Sequence, residues 1–229
     1  MNEHRNYRYL DFITAAFVAV LIISNITSSK IVLLGPFTFD GGTILFPLAY
    51  IFGDVLTEVY GYKRSRRVIW TGFFWLIMAT VIFTIVDALP SAFPAIPPMP
   101  DSFHVILGQT PRIVLGSLVA YFAGEFSNSF VLAKLKIQTE GRYLWVRTIG
   151  STLVGEGIDT LIFAVIAFAG TMSGQDLTNL IVSNYIYKCG IEAVFTPVTY
   201  KVVNFLKRVE NEDYYDRETD FNPFLVADV

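Results

Sequence analysis

Apolar residues run along this chain in six long blocks separated by short polar connections. Read with a window of about 19 residues, the blocks cover approximately 10–34, 43–60, 68–89, 113–135, 148–169 and 177–206. At about 1.5 Å of rise per residue each is long enough, as a helix, to cross a hydrocarbon core of about 30 Å. The second block is the shortest and the most interrupted. The first runs on through Ser24 and Asn25 with no cleavage-like end and is too long for a signal peptide. The pattern predicts an all-α polytopic membrane protein with six transmembrane helices. Residues 1–209 form one membrane domain, and 210–229 form a solvated, acidic cytoplasmic tail.

Charge placement orients these spans. Arg5 and Arg8 precede the first block, and Lys63, Arg64, Arg66 and Arg67 follow the second. Lys134, Lys136, Arg142 and Arg147 lie between the fourth and fifth, and Lys201, Lys207 and Arg208 close the sixth. The alternate connections, 35–42, 90–110 and 170–176, contain no Lys or Arg. The positive-inside rule then puts both termini in the cytoplasm and the chain in the inner, plasma membrane. An even number of spans fits, and a missed helix would break the alternation. The outer connection after the third block carries Pro90, Pro94, Pro97, Pro98 and Pro100, so it is an extended cap or a short re-entrant piece rather than one helix. Composition agrees: 53% of residues are hydrophobic and 16% charged, which leaves too little charge for a soluble shell. A formal charge of -3 without a basic face argues against nucleic acid as a partner.

Ionisable groups inside the blocks carry the functional signal, because a charge in hydrocarbon must face the bundle interior or a wet cavity. The second block holds Asp54 and Glu58, the fourth Glu125 with Asn128, the fifth Glu156 and Asp159, and the sixth Lys188 and Glu192; the first adds Ser24, Asn25 and Thr27. Asp54/Glu58 and Lys188/Glu192 are four apart, Glu156/Asp159 and Glu125/Asn128 three apart, so each pair shares a helical face. Counting along the spans puts Asp54 and Lys188 about 17 Å from the outer end and Asp159 about 17 Å from the inner end. Asn25 lies near the same level. Several helices therefore bring polar groups to one plane at mid-membrane, where carriers hold substrate. Interhelical hydrogen bonding accounts for some of these residues, Glu58 and Glu192 of the inner half first, with a secondary or proton-coupling part as their alternative. It does not account for all. Six carboxyls against Lys188 leave negative charge that protons, or a donor-rich or cationic ligand, must meet.

Other features are quieter. Gly116, Ala120 and Gly124, then Gly53, Thr57 and Gly61, then Ser151 and Gly155, mark close helix packing. Arg112 stands on the outer side against the charge bias, where it pairs with an acid, meets an incoming ligand or snorkels to the interface. Lys30 reads as a snorkelling lysine. Phe46, Phe52, Tyr121 and Tyr185 are aromatics able to stack on a planar ligand. Cys189 alone makes neither an internal disulfide nor a multi-cysteine metal site. His4 and His104 lie outside the spans. Neither cofactor nor metal is called for, and no H-E-x-x-H, G-x-S-x-G or Walker pattern suggests an enzyme.

A set of ordered motifs adds a family. Ser24-Asn25, the stretch 42–47, and Phe52-Gly53-Asp54-Val55-Leu56-Thr57-Glu58-Val59-Tyr60-Gly61 with its following basic run form the first part. Pro111-Arg112-Ile113, Gly155-Glu156-Gly157-Ile158-Asp159-Thr160, and Tyr187-Lys188 with Pro197 complete it. Together, from about Tyr9 to Lys207, they resemble the queuosine precursor transporter family, also called the vitamin-uptake transporter family. The resemblance implies a stand-alone six-helix carrier, similar to the substrate-binding S-components of energy-coupling-factor (ECF) vitamin transporters. Its implied cargo is 7-cyano-7-deazaguanine, 7-aminomethyl-7-deazaguanine or queuine. Asn25, Asp54, Arg112, Asp159 and Lys188 match the family's polar pattern; Glu58, Glu125, Asn128 and Glu156 match it less rigidly. A deazaguanine offers two parallel donors, N1–H and the 2-amino group, to a carboxylate such as Glu156 or Asp159. Lys188 or Asn25 would donate to its O6, while Asp54 and Glu125 take a cationic side or a coupling proton. The expected partners are thus a small planar purine-like substrate and the lipid bilayer. A homodimer is compatible, and no energising partner is demanded. The competing readings are a carrier or binding subunit for another vitamin or nucleobase, and a non-transporting membrane receptor or assembly protein.

Overall fold

The computed structural model describes residues 7–35, 37–90, 102–108 and 110–225. Most of the expected proline-rich cap, together with His4 and Arg5, lies outside the described residues. Helix α1 (Leu10–Thr27) leads into an antiparallel hairpin, β1 (Ile31–Leu34) and β2 (Phe37–Asp40), and then a 3-10 turn, Gly41–Ile44. Helices α2 (Phe46–Tyr60), α3 (Tyr62–Asp87), α4 (Ser102–Leu107), α5 (Thr110–Gln138), α6 (Leu144–Phe168) and α7 (Gly174–Glu210) follow. The long helices run alternately up and down. One end of the bundle gathers most of the basic residues and the C-terminal segment; the other carries the hairpin.

Local chemistry explains where the elements begin and end. Ile31–Leu34, expected in the first span, is instead a strand, so the fold is mostly rather than wholly helical: Gly35 turns with φ +60° and β1 pairs with Phe37–Asp40, Ile31 opposite Asp40. Asp40 then caps the 3-10 turn, its Oδ1 accepting from the Thr43 amide at 3.2 Å. Pro47 sits in the first turn of α2, where its missing N–H costs nothing. Gly61 at φ +86° separates α2 from α3, a backbone state that few other residues adopt cheaply. Ser173 caps α7, accepting from the Asp176 amide, and Asn211 ends it in the left-handed conformation.

Among the described residues, four stretches are long and apolar enough to cross a membrane: α1, α3, Ser102–Gln138 (which contains α5) and α6. At 15 residues α2 reaches only about 22 Å, and α7 carries Lys188, Glu192, Lys201, Lys207 and Arg208 along its length. The bundle is apolar outside and polar within. Phe74, Trp75, Ile82, Ile85 and Val194 are exposed, whereas Asp54, Glu58, Glu125 and Asn128 are 0% exposed. That inversion suits a lipid-facing surface, and the chain is a multi-pass membrane protein. Helices α5 and α6 approach most closely: a Cβ added to Gly124 would stand 2.8 Å from the Gly155 carbonyl, and one added to Gly155 would stand 2.9 Å from that of Gly124. An aromatic knot centred on Tyr121, with ring centroids of Phe46 and Tyr50 each 5.6 Å away, ties α5 to α2.

The tail corrects the expectation of a solvated acidic segment. Its residues pack back across the basic end of the bundle. Asp216 accepts from the Tyr62 amide at 3.0 Å through Oδ2 and 3.1 Å through Oδ1, satisfying a donor that begins α3. Arg66 donates to the carbonyls of Asp220 and Asn222, and Trp70 Nε1 donates to that of Pro223 at 2.7 Å. Phe221 stacks near Tyr62, with centroids 4.9 Å apart, and Phe224 lies near Phe122. Burial pushes the Asp216 carboxyl up, the Tyr62 amide and Thr219 hydroxyl partly offsetting it. Burial also pulls Asp213 up, but hydrogen bonds from Lys136 and Lys207 outweigh it and hold that carboxyl below its ordinary range. Acidic residues alternate with aromatic ones here, so charge count alone misreads a segment that caps a helix and fills an aromatic groove. Replacing Asp216 with Ala should remove about 1–2 kcal/mol and lower the detergent-solubilised melting temperature by several degrees. An unchanged melting curve would mean that the tail is not docked.

Candidate functional site

Two buried charge systems divide the polar residues. The first lies where α2, α5, α6 and α7 meet, below the hairpin. Lys188 on α7 places Nζ 2.7 Å from Asp159 Oδ2 and 3.0 Å from Glu156 Oε2, both on α6. The same ammonium stands 4.5 Å from the centroid of Phe46, a cation–π contact in a dry setting. All three charged side chains are nearly inaccessible, Lys188 being 4% exposed. The spacing of three along α6 aims both carboxyls at α7, and one ammonium serves two counter-ions.

Around this trio the helices add further polar groups. Asn128 on α5 donates to Asp54 on α2 at 2.8 Å. Glu125 lies one turn before Ser129, whose hydroxyl reaches it at 3.4 Å. Its carboxyl rests against the backbone of Gly53, where any side chain would overlap it. Glu192 is buried one turn beyond Lys188. Among the described residues, Glu156 Oε1, both Glu192 oxygens, Asp54 Oδ2 and Glu125 Oε2 receive no conventional side-chain or backbone hydrogen bond.

Several members of this neighbourhood escaped the sequence reading. Asp40 at the end of β2 accepts from Ser28 Oγ at 2.6 Å, Thr43 Oγ1 at 2.7 Å and Asn184 Nδ2 at 3.2 Å. These groups adjoin Lys188: Ser28, Asp40, Thr43, Phe46, Ser117, Asp159, Phe163 and Lys188 line one cavity of about 10 Å³, room for about one water molecule. Asp40 sat in an apparent loop; the Asp-Gly-Gly-Thr turn signal was present, but only hairpin pairing brings it inward. Of the aromatics proposed for stacking, Phe46 lines the cavity, whereas Tyr185 is spent on the Leu153 carbonyl and Tyr121 fills the aromatic knot. A wider hollow of about 510 Å³ opens at the hairpin end beside Ser28, Pro111, Arg112 and Met172. Ser28 borders both spaces.

The second system occupies the basic end. Glu58 Oε1 is 2.7 Å from Arg147 Nη2, 2.7 Å from Lys207 Nζ and 3.7 Å from Lys136 Nζ. Asp213 from the tail joins Lys136 at 2.6 Å and Lys207 at 2.9 Å. Glu58 is therefore satisfied by three cations and stands apart from the trio. Arg112 is also elsewhere: its guanidinium donates to the carbonyls of Ile166 at 2.8 Å and Ala169 at 2.6 Å, closing the C-terminal end of α6 about 10–15 Å along that helix from Asp159. It meets neither an acid nor the cluster. Asn25 is buried and bonds its own helix through the Leu21 carbonyl at 2.9 Å. His104, exposed on α4, lies 2.9 Å from Asp87. In sum, Asp54, Glu125, Asn128, Glu156, Asp159, Lys188 and Glu192 gather, and Arg112 and Glu58 do not.

Comparison with known proteins points to transport. A family model described as "Putative vitamin uptake transporter" matches residues 40–202. The chain is 29% identical over 180 residues to the "Probable queuosine precursor transporter" of Bacillus subtilis, covering 78% of each. It is 24% identical over 221 residues to the "Queuosine precursor transporter" of Escherichia coli, covering 92% of this chain and 94% of that one. A "Probable queuosine precursor transporter" of Haemophilus influenzae is 24% identical over 171 residues, 73% of this chain and 69% of its own. No solved structure matches.

The trio depends on how closely α5 lies on α6. A Cβ at Gly155 would press on the Gly124 carbonyl and on Asn128 Cβ at 2.7 Å, whereas at Gly116 the nearest atoms are 3.4 Å away. Gly155→Ala should cost about 1–3 kcal/mol through overpacking, with Gly116→Ala nearly neutral. Thermal unfolding of the two purified variants checks the contrast, and equal effects would discount the close approach.

Proposed function

Because the chain belongs to the vitamin uptake transporter family, we propose that it carries a queuosine precursor, a 7-deazaguanine, into the cell across the inner membrane. The family is one of transporters rather than enzymes. The observation that carries the substrate reading is the buried Glu156–Lys188–Asp159 trio beside the Phe46 ring. A guanine-like edge presents two adjacent donors and one acceptor. Carboxylates beside an ammonium offer the complementary set, with charge-assisted hydrogen bonds. Phe46 supplies a face for the ring. Asp40, Thr43 and Ser28 would serve the other side of the ligand.

The inner cavity admits about one water, so substrate binding requires the helices or hairpin to part. The hollow beside Arg112 has the volume of a small-molecule site and shares Ser28 with the cavity, which makes it the entry route on this reading. In the membrane, α1, α2 with its preceding turn, α3, α5, α6 and α7 are the six spans. Lys and Arg concentrate at the tail end, so that end and both termini face the cytoplasm. On this reading, and as its motifs imply, the chain resembles an S-component of an ECF vitamin importer but works as a stand-alone, ion-coupled carrier without an energising subunit.

The test is queuosine in tRNA from cells lacking both precursor synthesis and their own transporter, supplied with nanomolar 7-aminomethyl-7-deazaguanine. Expression of this chain should restore queuosine. Asp159→Asn, present in the membrane at normal level, should lower it roughly tenfold or more, and Glu156→Gln should weaken binding of the purified protein to the same compound. A well-expressed wild-type protein that restores nothing would overturn the substrate reading.

A further inference from the structure

Asp54 on α2 and Glu192 on α7 form a carboxyl pair that the substrate trio does not use. Asp54 is 0% and Glu192 1% exposed. Asn128 satisfies Asp54 Oδ1. Asp54 Oδ2 and both Glu192 oxygens receive no N–H or O–H from any described residue, and the two carboxyls are neighbours across the packing of α2 on α7. Two ionised carboxylates have only acceptors, so a bond between them needs a proton.

Among the described residues, the surroundings offer no other counter-charge. Glu125 and Asn128 face the pair from α5, Glu58 from α2 and Glu156 from α6, with Lys188 and Cys189 on α7 itself. Lys188 is held by Asp159 and Glu156. The three cations near Glu58 are engaged by Glu58 and Asp213. A second bare carboxylate in this setting would cost several kcal/mol.

We propose that the Asp54–Glu192 pair binds a proton that travels inward with the substrate. This rests on the transport reading above and adds the coupling ion to it. Position supports the role. Glu192 is about one helical turn from Lys188, and Asp54 about one turn from Glu58, about 6 Å of rise in each case. The pair therefore stands between the substrate trio and the ion knot at the basic end. The proton joins one oxygen of the pair from the hairpin side as substrate enters. When the knot of Glu58, Arg147, Lys136, Lys207 and Asp213 opens, both leave toward the cytoplasm. One carboxyl O–H bond forms on the hairpin side and breaks on the cytoplasmic side, no other covalent bond changes, and one proton crosses with each substrate. Losing the proton leaves a negative charge one turn from Lys188, which draws the ammonium off Glu156 and Asp159 and rearranges the substrate's partners.

The full chain in liposomes tests this with labelled 7-cyano-7-deazaguanine, which is uncharged, so that lumenal acidification reports a carried proton. Two readouts are needed: exchange of labelled for unlabelled compound at equal pH, and accumulation with acid outside, followed by a trapped pH dye. Wild type should show both, and one pH unit should drive up to about tenfold accumulation for one proton. Glu192→Gln should retain exchange but lose acid-driven accumulation and dye acidification; Asp54→Asn should likewise lose the acid response. Glu192→Asp, which restores a carboxyl, should recover part of it. Wild-type exchange without any response to the gradient would overturn the proposal and leave the pair a structural shared-proton bond. So would a Glu192→Gln protein that accumulates like wild type. Absence of exchange by the wild type would instead overturn the transport reading beneath it.

Discussion

An ammonium buried in hydrocarbon must be enclosed by counter-charge, and the interior of this protein is arranged around that requirement at Lys188. Asp159 and Glu156 meet it from one face of α6 at 2.7 and 3.0 Å. Gly155, one turn before Asp159 on the same flank, lets α6 lie close on α5 at glycines 124 and 155 while its carboxyls still reach α7. The aromatic edge of α2 closes the site through Phe46. The hairpin then supplies Asp40, whose bond to Asn184 ties β2 to α7 within reach of the trio. Each of these packings follows from keeping one cation and its partners away from lipid.

The two charge systems differ in how fully they are balanced, and that difference separates structure from function. At the basic end Glu58 has Arg147, Lys207 and Lys136 around it, with Asp213 completing the knot. Such a network locks helices together, because removing any member strands a buried charge. Deeper in the bundle, carboxyls outnumber cations and several oxygens lack donors. Native interiors rarely leave polar atoms in that state without a use for them. The imbalance has a natural place in a carrier, whose interior must exchange its own pairings for those of a substrate and then recover them.

Much of the helical framework was legible in the hydrophobic pattern, since lipid selects apolar residues over the whole length of a helix. The blocks at 68–89, 113–135, 148–169 and 177–206 correspond to α3, α5, α6 and α7 within a few residues. The departures came where a local signal resembled something else. Ile31–Leu34 is as apolar as a helix end but pairs as a strand once Gly35 turns the chain. The tail's acids suggested solvent, while Asp216 caps α3 and Phe221 and Phe224 sit among Tyr62, Trp70 and Phe122.

The sequence by itself determined that helices would carry Asp54, Glu125, Asn128, Glu156, Asp159, Lys188 and Glu192 to one depth, because 1.5 Å of rise and 3.6 residues per turn leave depth and facing little freedom. It also determined that most of the basic residues, Lys30, Arg112 and Lys188 excepted, would share one end. Only the tertiary structure decided which polar groups meet. Hydrogen bonds and ion pairs are short-ranged, and their partners here come from other helices, the hairpin and the tail. Thus Glu58, one turn from Asp54, belongs to the ion knot with Lys207. Arg112 is taken by the free carbonyls at the end of α6, and Asp40, 144 residues from Asn184 in the chain, stands beside it.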